Sequence, residues 1–417
     1  TGVQTCALPI LDAKADITLG SIQTTNNTAT SAVAIDTTQG GLIDAGDSAG
    51  DINIVADSTN AITTINTVTG IGSAGTLETT ISILAAHNTY SGNIDIAETN
   101  AISINKLDQD GTTDPVDVTL TVEGTISIID GQSGVTATSG TVTIDANGTT
   151  SSIAVSEDIS TTGGAIIVSA DDDITVDAED TISSSGGNIT ITADTDIVAD
   201  GASGALSINC AILDAGSGTI TISSDENITL NQLKTTNDTD SAISITCTSG
   251  AIIDGGDAEG EDIIAESGKV SISAKTGIGT SANAMDTKVK DFTAVNSTSG
   301  GIFINETNAI NIVSSGVATQ AGDGSIVIAA TAGDITSSAD ISANGSGNIL
   351  IDADSGNLDI DSDILSSTGH ITLKASSAIL IGDSTATDVD ITTGTAGTIS
   401  IDAEAGAVTM AGDSTIT

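Results

Sequence analysis

The sequence predicts an all-β fold, a β-solenoid in which short strands of successive coils stack in parallel. A strand signature recurs along the chain: a glycine, then two aliphatic residues alternating with polar or small ones, as in "GTVTI" from Gly140, "GNITI" from Gly187 and "GTISI" from Gly397. This alternation buries one face of each strand and leaves the other in water. Hydrophobic residues make up 38% of the chain but aromatic residues only 1%, so the core is expected to be thin and aliphatic.

The spacing of these signatures favours the solenoid over other β folds. Successive signatures lie about 13 to 24 residues apart, the length of one coil with two or three short strands, and such a coil buries its apolar face only by stacking on its neighbours. The alternative is a string of antiparallel β-sandwich domains, which would need aromatic core residues and a repeat of about 100 residues. Two stretches, "ETTISILAAH" and "MDTKVKDFTA", come closest to helical periodicity. Each predicts either a short helix or an irregular excursion.

The chain also contains a long tandem duplication. "ADITLGSIQTTNNT" from Ala15 returns as "ENITLNQLKTTNDT" from Glu226, and "SGNIDIAETNAISI" from Ser91 returns as "SGGIFINETNAINI" from Ser299. The repeated unit is about 210 residues long, and the second copy is shorter by roughly one coil. The predicted organisation is a first solenoid repeat over 11–222, a second, shortened repeat over 223–401 and the start of a third over 402–417.

The first ten residues resemble nothing that follows them. "TGVQTCALPI" is similar to the in-frame translation of a short-read sequencing adapter. We therefore interpret residues 1–10 as a sequencing artefact, exclude them from fold reasoning and expect the sequence to be a metagenomic fragment whose natural start lies upstream.

Charge excludes several partners. The formal net charge is -48, from 56 acidic and 8 basic residues, so the surface should repel phosphate backbones and anionic lipid headgroups. We expect no nucleic-acid partner, and no membrane insertion because no apolar run is long enough. We expect a surface of this kind to attract divalent cations or to tolerate high salt.

The block "TGIG" followed by "SGNIDIAETNAISI", set among the glycine-led strand signatures, resembles giant β-strand-repeat surface proteins of bacteria. These are similar to the filamentous-haemagglutinin and autotransporter adhesins. The resemblance implies a right-handed parallel β-helix that is secreted or attached to the cell surface. It implies a stalk, whose attachment to a host surface, an environmental surface or an extracellular polysaccharide uses parts outside this sequence.

The sequence contains few residues of the types that enzymes use for catalysis, and we expect no enzyme activity. His87 and His370 are the only histidines, and neither lies at a spacing that suggests a nucleophile–base pair. Polysaccharide lyases and hydrolases built on β-helices use clustered carboxylates with arginine and aromatic residues, whereas this chain has no Arg and no Trp. The glycines of "TGIG" lack the lysine and helix of a phosphate loop and predict a turn. Cys210 and Cys247 fall at strand positions and are interpreted as unpaired small residues.

Calcium is the one cofactor that the sequence suggests. "LDQDGTTDPVD" places Asp108, Asp110 and Asp114 around Gly111, and oxygen ligands on a short turn suit Ca²⁺. Alternative acidic strips are Asp171–Asp173 with Asp177, and Asp359, Asp361 and Asp363, which alternate along "LDIDSDIL" and should share one face of a strand. The competing interpretation is a solvated acidic face that keeps fibres soluble and apart.

The predicted function is a non-catalytic stalk segment of an adhesin, a stiff acidic fibre. The alternative is a binding module whose Thr-rich strand face recognises a glycan or another repetitive surface. "NITIT" from Asn188 and "GTITIS" from Gly218 supply paired threonines for such a face, although their irregular spacing argues against ice-like recognition.

Overall fold

The computed structural model describes residues 8–26, 31–46, 51–72, 75–113, 116–177, 179–194, 204–208, 211–255, 260–382 and 388–417. These residues form strands, turns and bends, and none of them is helical. The chain divides into two compact units: unit 1 comprises Thr1–Ser207 and Ala211–Gly218, and unit 2 comprises Ile208–Cys210 and Thr219–Thr417.

The strands are short, mostly of three to five residues. Those before residue 219, β1 to β23 in order, are Ile10–Ala13, Ile17–Leu19, Ile22–Gln23, Val33–Thr37, Leu42–Asp44, Ile54–Ala56, Ile62–Thr67, Leu77–Ile81, Ile83–Asn88, Ile94–Glu98, Ile102–Gln109, Val118–Val122, Ile126–Ile128, Val135–Ala137, Val142–Ala146, Ile153–Val155, Ile159–Thr161, Ile166–Ala170, Ile174–Val176, Thr181–Ser183, Ile189–Ala193, Leu206–Ile208 and Ile212–Asp214. Those after it, β24 to β44, are Ile220–Ser224, Ile228–Leu230, Gln232–Lys234, Ile243–Cys247, Ile252–Asp254, Ile263–Ala274, Met285–Asn296, Ile302–Glu306, Ile310–Thr319, Ile326–Ala330, Ile335–Ser337, Ile341–Ala343, Ile349–Ala353, Leu358–Ile360, Ile364–Ser366, Ile371–Ala375, Ile379–Ile381, Asp390–Thr393, Ile399–Ala403, Val408–Met410 and Thr415–Ile416.

Each unit is a β-solenoid of parallel strands, as the sequence predicts. In unit 1, Val142–Ala146 pairs in parallel with Val118–Val122 of the coil before and with Ile166–Ala170 of the coil after. The register places Ile144 between Leu120 and Val168, so equivalent residues stack directly on one another. Stacking in unit 2 follows the same rule, because Ile349–Ala353 lies between Ile326–Ala330 and Ile371–Ala375.

The core is a set of aliphatic columns. Burial alternates along most strands, with the first, third and fifth residues inside. Ile144, Ile328 and Ile351 are 0% exposed, and Phe292 is the largest fully buried side chain. Parallel pairing satisfies the hydrogen bonds of the backbone, and side chains of similar size stack on each other. The core therefore needs few aromatic residues.

Both stretches with weak helical periodicity are strands. "ETTISILAAH" lies in Leu77–Ile81 and Ile83–Asn88, and "MDTKVKDFTA" lies within the long strand Met285–Asn296. Burial alternates along Leu77–Ile81, along Ile83–Asn88 and along the first five residues of Met285–Asn296. The neighbouring coils offer parallel partners on both sides of Ile83–Asn88 and of Met285–Asn296. Tertiary pairing therefore decides the structure where local periodicity is ambiguous.

The "TGIG" sequences are turns, as the sequence predicts. Gly70 and Gly72 have φ of 110° and 67°, values that a residue with a side chain rarely adopts. The isoleucine between them, Ile71, forms isolated parallel bridges to Leu42 and to Ile94. Ile278 does the same between Ile252 and Ile302 in unit 2. Each turn thus places a single buried isoleucine between residues of the preceding and the following coil.

The glycine that leads each strand signature marks a close approach between coils. A Cβ built on Gly347 would lie inside 3.0 Å of the Gly324 carbonyl oxygen, and one on Gly369 would meet the Gly347 carbonyl oxygen in the same way. Unit 1 repeats the arrangement with Gly140, Gly164 and Gly187. None of these five glycines has a positive φ. The signature therefore needs glycine because a stacked carbonyl occupies the place of a side chain.

A buried glutamate ends one strand in each unit. Glu98 is 1% exposed and Glu306 is 0% exposed. Glu98 Oε2 accepts the Thr79 hydroxyl at 2.7 Å, and Oε1 accepts the Ile81 amide at 3.1 Å. Glu306 receives the equivalent bonds from Thr287 and Val289. Burial raises the pKa of each carboxyl from 4.5 to about 7, and these hydrogen bonds lower it only in part.

Candidate functional site

The predicted metal-binding aspartates lie on an outward-facing column of unit 1. In parallel pairing, one residue of each coil stacks on its equivalent in the next coil, and this holds for the polar face as well as for the core. The column, which we call column 1, consists of Asp12, Asp36, Asn66, His87, Asp108, Thr136, Ser160, Ser183 and Asp214. This register places His87 directly beside Asp108.

His87 and two aspartates form a cluster on this column. His87 Nε2 lies 2.9 Å from Asp110 Oδ2 and 3.8 Å from Asp108 Oδ2. The side chains of His87 and Asp108 are 24% and 19% exposed, while that of Asp110 is 57% exposed. An imidazole and two carboxylates are suitable ligands for a divalent cation. Asp114, the third predicted ligand, lies outside the described residues.

Asp108 already has other partners in this cluster. Lys106 Nζ lies 3.0 Å from Asp108 Oδ2, and the Thr136 hydroxyl donates to Asp108 Oδ1. A cation bound here would therefore compete with an ammonium group that the chain itself supplies. The arrangement is an ion-pair network in which Lys106 already offsets part of the negative charge that a metal ion would meet.

Sequence reasoning missed His87 because the histidine and the aspartates belong to different coils. The usable signal was the alternation of "ILAAHN" against "KLDQ", which places His87 and Asp108 at the same strand position. The corresponding pair in unit 2 is Val295 and Ala318, which also face each other across two coils. Unit 2 therefore supplies a natural comparison without the cluster.

We expect millimolar calcium to raise the Tm of the chain if the cluster binds it, and to raise it further in Lys106→Gln. That variant removes the competing ammonium, and a ligand at one hundred times its Kd stabilises the folded state by about 2.7 kcal/mol. Differential scanning calorimetry with calcium or with chelator measures the change. The double variant Asp108→Asn with Asp110→Asn removes the two carboxylates of the cluster, and its matched control is Glu123→Gln with Glu157→Gln, which removes two carboxylates elsewhere. A rise that persists in Asp108→Asn with Asp110→Asn would place calcium elsewhere.

A second carboxylate cluster, which the sequence did not predict, lies in unit 2. Oxygens of Asp254, Asp262 and Asp286 lie within 4.8 Å of one another. Asp254 is 5% exposed and Asp262 is 1% exposed, and Asp262 Oδ2 accepts the Asp286 amide at 2.7 Å. The Asn305 side chain donates to Asp286 Oδ1 at 2.6 Å.

Unit 1 has an amide where this cluster has an acid. Asn53 Oδ1 accepts the Glu78 amide at 2.9 Å, the bond that Asp262 receives from Asp286. The Asn53 side chain also donates to Asp44 Oδ1 at 3.0 Å. Asp262 therefore brings a carboxylate to a position where the other unit has an amide donor facing an aspartate. The detectable signal was the difference at the second residue of "INIVA", from Ile52, and "EDIIA", from Glu261.

The other acidic strips do not converge on a point. Asp171 accepts the Gly148 amide at 2.6 Å, Asp172 accepts the Ser152 hydroxyl at 3.2 Å and Asp173 accepts the Ala205 amide at 2.8 Å. Asp177 accepts the Ser156 hydroxyl at 2.6 Å. Each carboxylate thus joins its own coil to a neighbouring one.

The prediction that Asp359, Asp361 and Asp363 share one strand face was wrong. The strand Leu358–Ile360 ends before Asp361, and the next strand, Ile364–Ser366, begins after Asp363. The chain turns a corner of the coil between them, since a coil of this length has room only for strands of three residues on these faces. Asp363 instead accepts the Asp390 amide at 2.8 Å.

The cysteines and the second histidine of the sequence lie apart from the two clusters, where they fall within the described residues. Cys247 is a free, buried cysteine whose thiol contacts the Glu226 carbonyl oxygen at 2.7 Å; Cys6 and Cys210 lie outside the described residues. His370 is exposed and its Nδ1 lies 2.8 Å from the Thr398 hydroxyl.

Comparison with models of protein families, with curated proteins and with solved structures finds no match to this chain. In the described part of the chain, no helix has the length and apolar character required to cross a membrane. The class of protein that the structure shows is a β-solenoid of parallel stacked coils.

Proposed function

We propose that the chain is a non-catalytic stalk segment of a large adhesin that is secreted or carried on the bacterial cell surface. The observation that carries this proposal is the direct stacking of equivalent residues in successive coils, such as Ile326, Ile349 and Ile371. Such a ladder adds length without adding a new kind of contact, and each coil is stabilised by its neighbours.

The charge of the chain supports the same role. A net charge of -48 keeps neighbouring fibres apart and soluble, and acidic side chains that bond to adjacent coils can remain on the surface without disrupting the stack. Attachment to a surface or to an extracellular polysaccharide would then be made by parts outside this sequence.

The stalk is tested by placing the chain between a surface anchor and a fluorescent tip. Interference microscopy measures the height of the tip above the anchor layer. We expect a tip height well above that of a Gly/Ser linker of equal residue number, because such a linker behaves as a random coil. Equal heights for the two proteins would contradict the stalk.

A second candidate function is recognition of a repetitive surface by a hydroxyl-rich strand face. Thr190 and Thr192 of "NITIT" are half-buried on the outward face of their strand, and Thr221 of "GTITIS" is exposed. In unit 2, Thr221 begins a stacked run of hydroxyls with Ser244 and Ser271, which ends at the buried Thr293. Regular rows of hydroxyls are suited to hydrogen bonding with a polymer of repeating hydroxyl groups.

A further inference from the structure

Unit 2 contains a column that corresponds to column 1 but carries no charge. We call it column 2; it consists of Ser223, Thr246, Ser273, Val295, Ala318, Ser342, Leu365, Thr392 and Thr417. The sequence matches between the repeats place Asp12 opposite Ser223 and Asp36 opposite Thr246. His87 and Asp108 correspond to Val295 and Ala318. In a chain with net charge -48, this column is thus uncharged over nine successive positions, and the acidic side chains nearest to its second half are those of Asp340, Asp363 and Asp390, two residues earlier on the same strands or turns.

Column 2 forms the floor of two grooves that follow one another. The first groove, of about 370 Å³, includes Thr246, Ser273 and Val295. The second, of about 420 Å³, includes Ala318, Ser342 and Leu365. Val295 pairs with Ala318, so the grooves meet on the same column. Among the described residues that line them there is no acidic side chain, and Lys269 is the one charged group.

A β-bulge brings polar groups to the first groove. The register between Met285–Asn296 and Ile310–Thr319 shifts after Phe292, and Ser314 there has a φ of 60°. Bulges of this kind redirect side chains. The Ser315 hydroxyl lies 2.8 Å from the Thr293 hydroxyl, and Lys269 Nζ lies 3.5 Å from the Ser314 hydroxyl. The wall of the groove therefore offers hydroxyl groups and one ammonium.

From these observations we infer that column 2 is a docking groove for an uncharged, extended polysaccharide whose axis runs along the stack of coils. The charge of the chain favours an uncharged partner. The acidic surface around column 2 repels uronic acid or sulfated polymers, whereas a neutral glycan meets no electrostatic repulsion. Coils stack about 4.8 Å apart, a spacing close to the length of one sugar residue in an extended chain. The hydroxyls can both donate to the glycan and accept from it.

This inference rests on the second candidate function and is independent of the stalk. The same column in unit 1 carries Asp36 and Asp108 and serves as an internal comparison.

The test is affinity electrophoresis of the whole chain in gels that contain galactomannan, dextran, hydroxyethyl cellulose or polygalacturonate. We expect retardation in at least one neutral polymer and none in polygalacturonate. The double variant Thr246→Asp with Ala318→Asp, which copies the acids of unit 1, should raise the apparent Kd at least tenfold. The control, Val327→Asp with Thr372→Asp, adds the same charge to another face of unit 2 and should bind like the unmodified chain. Circular dichroism confirms that each variant is folded.

Several results would overturn the inference. Retardation that survives in the double variant would place the glycan elsewhere on the chain. Retardation in polygalacturonate alone would retain surface recognition as a function but refute a neutral ligand, and no retardation in any gel would refute both while leaving the tip-height result for the stalk intact. A dimer in light scattering that only the double variant disperses would assign the groove to a second copy of the chain.

Discussion

Replacing Gly347 by alanine is expected to destabilise unit 2 by about 3 kcal/mol, near the upper end of the cost of overpacking. The new Cβ would lie inside 3.0 Å of the Gly324 carbonyl oxygen, which is itself fixed in the backbone of the preceding coil. Neither partner can rotate away, so the two coils must separate locally. Urea unfolding followed by circular dichroism measures the loss.

The matched control is Gly20→Ala. Nothing lies within 4 Å of a Cβ built on Gly20, and its φ is not positive. Alanine there should be neutral or should stabilise the chain by about 0.5 kcal/mol through the unfolded state. Equal effects at the two positions would show that the glycines of the strand signature serve a turn rather than a close approach.

The stability of the chain should fall as the pH rises through about 7, because of Glu98 and Glu306. A carboxyl whose pKa is raised in the folded state holds its proton more tightly there than in the unfolded chain. Its contribution is fully present below the unfolded value of 4.5 and is lost as the pH rises through about 7. Each group accounts for about 3 kcal/mol over this range.

The double variant Glu98→Gln with Glu306→Gln separates this effect from general charge repulsion. A glutamine can accept the backbone bond of Ile81 or Val289 and donate to the Thr79 or Thr287 hydroxyl, so it resembles the protonated acid. We expect the variant to be more stable than the original chain at pH 8 and to have a flatter pH profile between pH 4 and 8. Glu123→Gln, at an exposed position, should leave the slope unchanged. A slope that is the same in all three proteins would assign the pH dependence to the surface charge.

The fold was predictable because apolar and polar residues alternate in the sequence itself. Ile, Val and Leu occupy every second position of the signatures, and a strand with one apolar face must find a partner to cover it. The role of the leading glycine was only partly visible: the sequence suggested a turn, but Gly164, Gly187 and Gly347 are explained by the carbonyl of the adjacent coil. That information depends on stacking and is absent from any single strand.

The candidate sites were less predictable than the fold, because each combines residues from two coils. The acids Asp108 and Asp110 were visible as neighbours in the sequence, whereas His87 joins them only through the register of parallel strands. Asp254 and Asp262 approach Asp286 in the same way. The corners of the coils, where one strand ends and the chain turns into the next, were also hard to predict, as Asp361 and Asp363 show. The position of a corner depends on the neighbouring coil on which it stacks.

The direct stacking of coils has a consequence for biogenesis. Ile144 pairs with Leu120 and Val168, its equivalents one coil away on either side, so one of the two partners of each strand is already in place when the preceding coil has formed. Each completed coil therefore offers strand edges to which the next coil can pair, and this pairing requires no segment that is distant in the sequence. A chain of this design can therefore fold in order from one end, because each completed coil supplies the pairing edge for the coil that follows it in the sequence.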